Sequence, residues 1–390
     1  MRFAKRLDKV LPSVTLGLNA RTLELRQQGK DIVALGVGEP DIHTPDVVSE
    51  AGIQAIKNHR ARYTATAGTP ELRHAICDYI KQVYGITYET NCVMASSGAK
   101  QVLFNSIVAT SGEGDEVIIP TPYWTSYPDM VHLAGATPVL AETTLEDGLK
   151  LSPQKLHDAL TPRTSALLLN SPSNPSGVTY TRRELEALAE VIGDRELWIL
   201  SDDIYCTLLF GDQEFASLAQ IPQFKDRTII INGVSKTFSM TGWRIGFAAG
   251  SREAIAAMTR LQDHSTSCPN AIAQVAAAEA LRQGPSLTAE WQATLIDRRA
   301  LMLRLANEIP GITAVPPTGA FYLFLDVSKG LTEKYPTTML LAEALLMEAG
   351  VGVIPGEAFG APGFLRLSFA VDNATITEGL RRIATFMDKN

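Results

Sequence analysis

Thr228-Ile229-Ile230-Ile231-Asn232-Gly233-Val234-Ser235-Lys236-Thr237-Phe238-Ser239-Met240-Thr241-Gly242-Trp243-Arg244-Ile245-Gly246-Phe247-Ala248-Ala249 is two short apolar runs joined by a polar, glycine-bearing loop. Runs that are apolar at every position, rather than at alternate ones, read as strands buried on both faces of a sheet. The loop holds one lysine among small residues and, eight positions on, one arginine beside two glycines. A lysine just past a buried strand loses hydration, which lowers its pKa and frees its amine as a nucleophile. An arginine where glycines let the backbone approach suits a phosphate. Taken singly, the same two residues also fit a solvated loop lysine and a surface arginine.

Outward from this stretch, strands are predicted over 116–120, 165–170 and 197–201 as well as 228–232 and 245–249. Helical patterns alternate with them, among them 99–109 and 182–192. Thr181 is a good N-cap for the second helix, with Glu184 placed to complete a capping box. This alternation predicts an α/β fold, a mostly parallel doubly wound sheet. At 390 residues the chain exceeds the roughly 250–300 at which one core stops growing, so two domains are expected. The rhythm changes near residue 290: one long amphipathic helix over 291–308, then strands over 321–325 and 364–369. The expected division is a large domain over 46–290 and a smaller α/β domain over 291–390, with residues 1–45 as an N-terminal segment completing part of it.

Composition narrows the function. Hydrophobic content of 45% with 20% charged residues suits a globular enzyme, and a net charge of -7 gives no reason to expect nucleic acid or an anionic membrane as partner. Cys77, Cys92, Cys206 and Cys268 are scattered and the six histidines show no ligand spacing, so neither a metal site nor a disulfide framework is expected. Met1-Arg2-Phe3-Ala4-Lys5-Arg6 is a basic start, but charged Asp8 and Lys9 follow with no apolar stretch, and no run reaches the ~18 apolar residues of a membrane span. A cytoplasmic enzyme with a small-molecule substrate is expected.

Ligands of open α/β sheets sit at the carboxyl ends of strands, and four further segments carry unusual residues there. Ser201-Asp202-Asp203-Ile204-Tyr205 follows a strand directly. A carboxylate at the mouth of a sheet needs a cationic partner, unless Asp202 or Asp203 merely caps a helix. Ala95-Ser96-Ser97-Gly98-Ala99-Lys100-Gln101 opens a helix whose free N–H groups can bind phosphate. Lys100 then lies in the first turn, where a cation opposes the helix dipole, so it is either functional or solvated. Asn170-Ser171-Pro172-Ser173-Asn174-Pro175-Ser176-Gly177 is a surface turn, or a stiff turn presenting the Asn174 amide. In Leu365-Arg366-Leu367-Ser368-Phe369, Arg366 either grips a carboxylate bidentately or faces water from an edge strand.

Together these residues resemble the class I aminotransferases of the fold-type I pyridoxal-phosphate superfamily, and within them the bacterial aspartate aminotransferase subgroup. The resemblance runs from about Ser13 to the C-terminus and is densest in Ser235–246. Gly36-Val37-Gly38-Glu39-Pro40-Asp41, Tyr63 in Tyr-Thr-Ala-Thr-Ala-Gly, Pro122-Tyr123-Trp124 and Asn174-Pro175 also match. It implies ping-pong transfer of the amino group from a dicarboxylic amino acid, aspartate foremost, to 2-oxoglutarate. Lys236 would carry pyridoxal phosphate as a Schiff base and then move the substrate's α-proton. Asp202 would keep the ring nitrogen protonated, Tyr205 and Asn174 would bond the ring oxygen, and Trp124, otherwise a core aromatic, would stack on the ring. Ser97, Gly98, Ala99, Ser235 and Arg244 would surround the phosphate. Tyr63 would reach the phosphate of the neighbouring subunit, implying a two-fold homodimer with shared sites. Arg366 and the Gly38 backbone would take the α-carboxylate, and Lys100 the distal one.

Two departures stand out: Ala99 occupies a position where many aspartate aminotransferases have threonine, and the arginine some subgroups use for the distal carboxylate is missing from 262–268. Rival readings are an aminotransferase for aromatic, sulfur-containing or prephenate-type substrates, and a β-eliminating lyase. Against prephenate stands Leu11, where members using it tend to carry a basic residue. A cofactor-sensing regulator would need a DNA-binding domain, for which there is no room before Ser13. A dinucleotide enzyme would need G-x-G-x-x-G after a strand, which is absent.

Overall fold

The computed structural model describes residues 3–389; Met1, Arg2 and Asn390 lie outside the described residues, and of the basic start Lys5 and Arg6 fall in a short 3-10 helix, Lys5–Lys9. Seven strands build the large sheet: β1 (Val93–Ser96), β2 (Glu116–Pro120), β3 (Thr137–Ala141), β4 (Thr164–Asn170), β5 (Trp198–Asp202), β6 (Thr228–Gly233) and β7 (Gly246–Ala249). Their spatial order is β1-β7-β6-β5-β4-β2-β3. The pairs from β3 through β6 are parallel, whereas β7 runs antiparallel to both β6 and β1. Five of these strands lie where the apolar runs predict them, with ends moved by a residue. The other two give no such run: β1 has four residues and ends in serine, and β3 is a half-exposed edge strand.

The reason for apolar residues at every position is visible in the packing. Val117, Ile119, Leu168 and Leu200 point to one face of the sheet, and Ile118, Leu167, Leu169 and Ile199 to the other, each with its own core. Helices α1 (Val14–Gln27), α2 (Ala99–Thr110), α3 (Tyr127–Ala134), α4 (Arg182–Ile192), α5 (Arg252–Asp263), α6 (Ala271–Gln283) and α7 (Ala289–Asn307) occur along the chain. α2, α3 and α5 cover the first face and α4 the second. α4 starts on the expected capping box, Thr181 N–H donating to Glu184 at 2.7 Å and Glu184 N–H to Thr181 Oγ1 at 3.3 Å.

After α7 comes a four-stranded antiparallel sheet of β8 (Thr313–Val315), β9 (Tyr322–Asp326), β10 (Ile354–Pro355) and β11 (Phe364–Ser368), in the order β10-β11-β9-β8. β11 is therefore an inner strand and Arg366 is only 4% exposed, which rules out an edge arginine facing water. Val33–Ala34 pairs in parallel with Val351–Gly352, so the N-terminal segment is stitched to the C-terminal part of the chain. No helix among the described residues is long and apolar enough to cross a membrane.

Candidate active site

Parallel strands bring their carboxyl ends to one edge, and the reversed β7 brings its entry to that same edge. Ser96, Pro120, Asn170, Asp202 and Gly233 thus end strands where Gly246 begins one. A cavity of about 410 Å³ opens there, between this edge and the small sheet. Lys236, Asp202, Tyr205, Asn174, Arg366 and Trp124 all line it.

Lys236 is not a solvated loop lysine. Its Nζ donates to the Gly38 carbonyl at 2.5 Å, and burial lowers its pKa to about 8. Glu39 opposes that shift, while Arg366 and Arg244 reinforce it. Asp202 is 4% exposed, accepting from the Tyr127 hydroxyl at 2.6 Å and from Ile204 N–H at 3.3 Å. Burial raises it to about 6 against those two bonds and the pull of Lys236. A turn over 204–207, not a helix, follows it, so capping does not account for Asp202 or Asp203. The Tyr205 hydroxyl meets that of Tyr322 at 2.9 Å.

Asn174 is buried rather than part of a surface turn. Its N–H donates to Asn170 Oδ1 at 2.8 Å, and its own Oδ1 accepts from Arg366 at 2.8 Å. Arg366 donates a second time, to the Gly36 carbonyl at 2.8 Å, and lies over the rings of Tyr322 and Phe359 at 4.5 and 5.1 Å. Its Nε is buried with no hydrogen-bond partner among the described residues. A buried guanidinium with an unfilled donor at a cavity wall is built to receive an acceptor.

The start of α2 forms a second polar corner. Gly98 has φ +88°, and a Cβ there would lie 2.3 Å from the Arg244 guanidinium; a Cβ on Gly246 would lie 2.2 Å from Ala99 N. Glycine at both positions lets the helix N-terminus, Arg244 and the start of β7 converge. Ala99, Ser235 and Arg244 line the cavity. Ser97 and Gly98 stand behind Arg244 instead: the guanidinium reaches Ser97 O at 3.5 Å, and Ser97 N–H donates to Gln101 Oε1 at 2.6 Å. Next to Ala99 in the first turn of α2, Lys100 Nζ sits 4.7 Å from the Trp124 ring centroid. Loss of water on that side, then Arg244, pull its pKa down. Tyr63 is not brought to this cavity; it is 95% exposed on the surface.

Two tyrosines escape sequence reading. Tyr127, the partner of Asp202, opens α3 between Ser126 and Pro128 and packs into the apolar core only in the fold, and Tyr322 sits in the apolar run of β9; neither local pattern signals a role. Thr15, Leu16 and Asn19 of α1 also wall the cavity, which nothing in their own pattern signals.

A model of the aminotransferase class I and II family matches residues 30–383. The aspartate/prephenate aminotransferase of Cereibacter sphaeroides is 46% identical over 388 residues, 97% of each chain. The crystal structure of aspartate aminotransferase from Rhizobium meliloti superposes with a TM-score of 0.95 at 41% identity, covering 100% of this chain and 99% of that one. The aspartate aminotransferase of Thermus thermophilus with maleate superposes with a TM-score of 0.94 at 40% identity, covering 99% and 100%.

Proposed function

This chain belongs to the class I and II aminotransferases, enzymes that depend on pyridoxal phosphate, and on that premise we propose that it moves the amino group of a dicarboxylic amino acid, aspartate foremost, to 2-oxoglutarate. The residues present fit the cofactor. A helix N-terminus beside Arg244 and Ser235, kept open by Gly98 and Gly246, suits a phosphate dianion. Asp202, buried and held near 6, calls for a cationic partner such as a protonated ring nitrogen. Lys236 offers an amine that sheds its proton near pH 8.

Pyridoxal phosphate, when bound, supplies the electron sink that lets an α-proton leave. The chain does the rest. Arg366 and the Gly38 backbone would grip the α-carboxylate; Asn174, its Oδ1 held by Arg366, would offer its side-chain amide donor to the ring oxygen together with the Tyr205 hydroxyl. Trp124 would stack on the cofactor ring, and Lys236 Nζ, held beside the Gly38 carbonyl, would move the substrate's α-proton. Ser97 and Gly98 act from behind Arg244, and Tyr63 completes the partner's phosphate site in a homodimer. The large domain over 46–290 holds these residues, apart from Gly38 and Arg366, which arrive from the N-terminal segment and the small domain.

The observation that carries the dicarboxylate reading is the pair of cations bounding one cavity, Arg366 at its floor and Lys100 at its rim. The maleate held by the Thermus thermophilus relative is itself a dicarboxylate. Because one relative is an aspartate/prephenate aminotransferase, prephenate belongs among the acceptors tested, although Leu11 offers it no charge. A donor-by-acceptor screen decides. Aspartate with 2-oxoglutarate should give the highest kcat/KM and parallel double-reciprocal lines. An aliphatic or aromatic donor that outruns aspartate removes the dicarboxylate reading; ammonia released without an acceptor points to elimination.

A further inference from the structure

The stretch 262–268, which offers no arginine to the substrate, is tied to two loops at once. Gln262, in the last turn of α5, is fully buried. A buried primary amide is costly unless its donors and acceptor are all used. Here they are: Oε1 accepts from Ser96 Oγ at 2.6 Å and Asn105 Nδ2 at 3.0 Å, and Nε2 donates to the carbonyls of Ala95 and Thr66 at 2.9 Å each.

Ser96 ends β1 immediately before Ser97-Gly98, where the phosphate corner begins. Thr66 lies three residues after Tyr63. The chain between them is held almost residue by residue: Thr64 N–H donates to Cys268 Sγ at 3.4 Å, Thr64 Oγ1 accepts from the buried Gln274 at 3.0 Å, and Ala67 O accepts from Ala95 N–H at 2.9 Å. Thr69 N–H donates to Gln274 Oε1 at 2.8 Å. A second tie repeats the pattern, since Gln101 accepts from Ser97 N–H and donates to Thr266 Oγ1 at 2.5 Å. An exposed tyrosine thus stands on a loop held by both Gln262 and Gln274.

We propose that Gln262 is a positioning residue that ties the phosphate corner of its own subunit to the loop presenting Tyr63 to the partner, so that one buried amide sets both sites of a dimer. This rests on the reading of Tyr63 as a ligand of the partner's cofactor phosphate.

The test compares holoenzymes of wild type, Y63F, Q262M and Q262M/Y63F. Methionine keeps the length of glutamine and removes its four hydrogen bonds. Two quantities are read: the dissociation constant of pyridoxal phosphate by equilibrium dialysis, and the ³¹P chemical shift of the bound phosphate, which general loosening away from the site would leave alone. Y63F should weaken the cofactor on the order of tenfold, as loss of one bond to a charged group does. Q262M should weaken it at least as much and move the ³¹P signal, and the double variant should be no weaker than Q262M. Multiplying effects, or an unmoved ³¹P signal in Q262M, overturn the positioning role. An unchanged constant in Y63F removes the shared-site reading instead. Should Q262M not fold, S96A cuts only the Gln262 bond to the phosphate corner; it should shift the same signal, and an unmoved signal overturns the role.

Discussion

Replacing Lys100 with glutamine tests substrate choice at a single atom. The amine stands 4.7 Å from the Trp124 ring centroid, with water on one side and the cavity on the other. An exposed ion pair contributes about 0.2–1 kcal/mol, and a hydrogen bond to a charged group about 1.5–3. A half-shielded Lys100 gripping a distal carboxylate falls between, near 1.5 kcal/mol, which is roughly tenfold. The same grip holds in ground and transition states, so K100Q should raise KM for aspartate about tenfold with kcat little changed. Alanine, with no distal carboxylate, should be used about as well as before. A pH signature accompanies this. The lowered pKa of Lys100 means its charge is lost earlier than for an ordinary lysine as pH rises. The preference of the wild type for aspartate over alanine should therefore fall at alkaline pH, and K100Q should lack that fall. Steady-state kinetics with both donors across pH measure it. An equal loss for aspartate and alanine would refute the assignment.

Lys236→Ala should abolish turnover and the visible absorbance of the bound cofactor, while the wild-type apoprotein should take up pyridoxal phosphate faster as pH rises through about 8, where the amine loses its proton; stopped-flow absorbance checks both. Asp202, held near 6 against 3.8 when unfolded, makes the folded apoprotein bind the extra proton between those values. Apoprotein stability should consequently fall as pH rises from about 4 to about 6, by up to about 1.4 kcal/mol per pH unit, and D202N should flatten that slope in denaturant titrations. Arg366→Lys loses the planar fork that spans Asn174, Gly36 and a carboxylate, so kcat/KM should drop on the order of a hundredfold for every amino-acid donor alike. A loss confined to dicarboxylic donors would instead assign Arg366 to the distal group.

What could be read from sequence and what could not divide along physical lines. Strands β2, β4, β5 and β6 show themselves because both faces are buried, and the loop after β6 shows itself because a lysine among serine and glycine has no packing purpose. Asp202 directly after an apolar run and Arg366 inside one are charges where packing alone would not put them. Tyr322 is hidden by the same logic, its hydroxyl being one atom in a pattern that reads as core, whereas Tyr127, between Ser126 and Pro128, meets Asp202 only through the long-range packing of α3 on the sheet. Ser97 and Gly98 are legible as a helix start, but that Arg244 stands in front of them depends on the reversal of β7, which no local pattern states. The rim formed by Thr15, Leu16 and Asn19 depends on where α1 lies against the sheet, a long-range fact.

The reversal of β7 also bears on the order in which the protein comes together. Ser96 pairs with Gly246, some 150 residues along the chain, whereas neighbouring inner strands such as β5 and β6 are separated by roughly 30. Closing the longer loop costs about 1.4 kcal/mol more in chain entropy. The corner proposed for the phosphate therefore belongs to the late contacts of a folding chain, and on that reading a nascent polypeptide has no complete seat for the cofactor until residue 249 has been made. Cofactor capture should then lag behind recovery of secondary structure during refolding, serving as a built-in signal that the large sheet has closed.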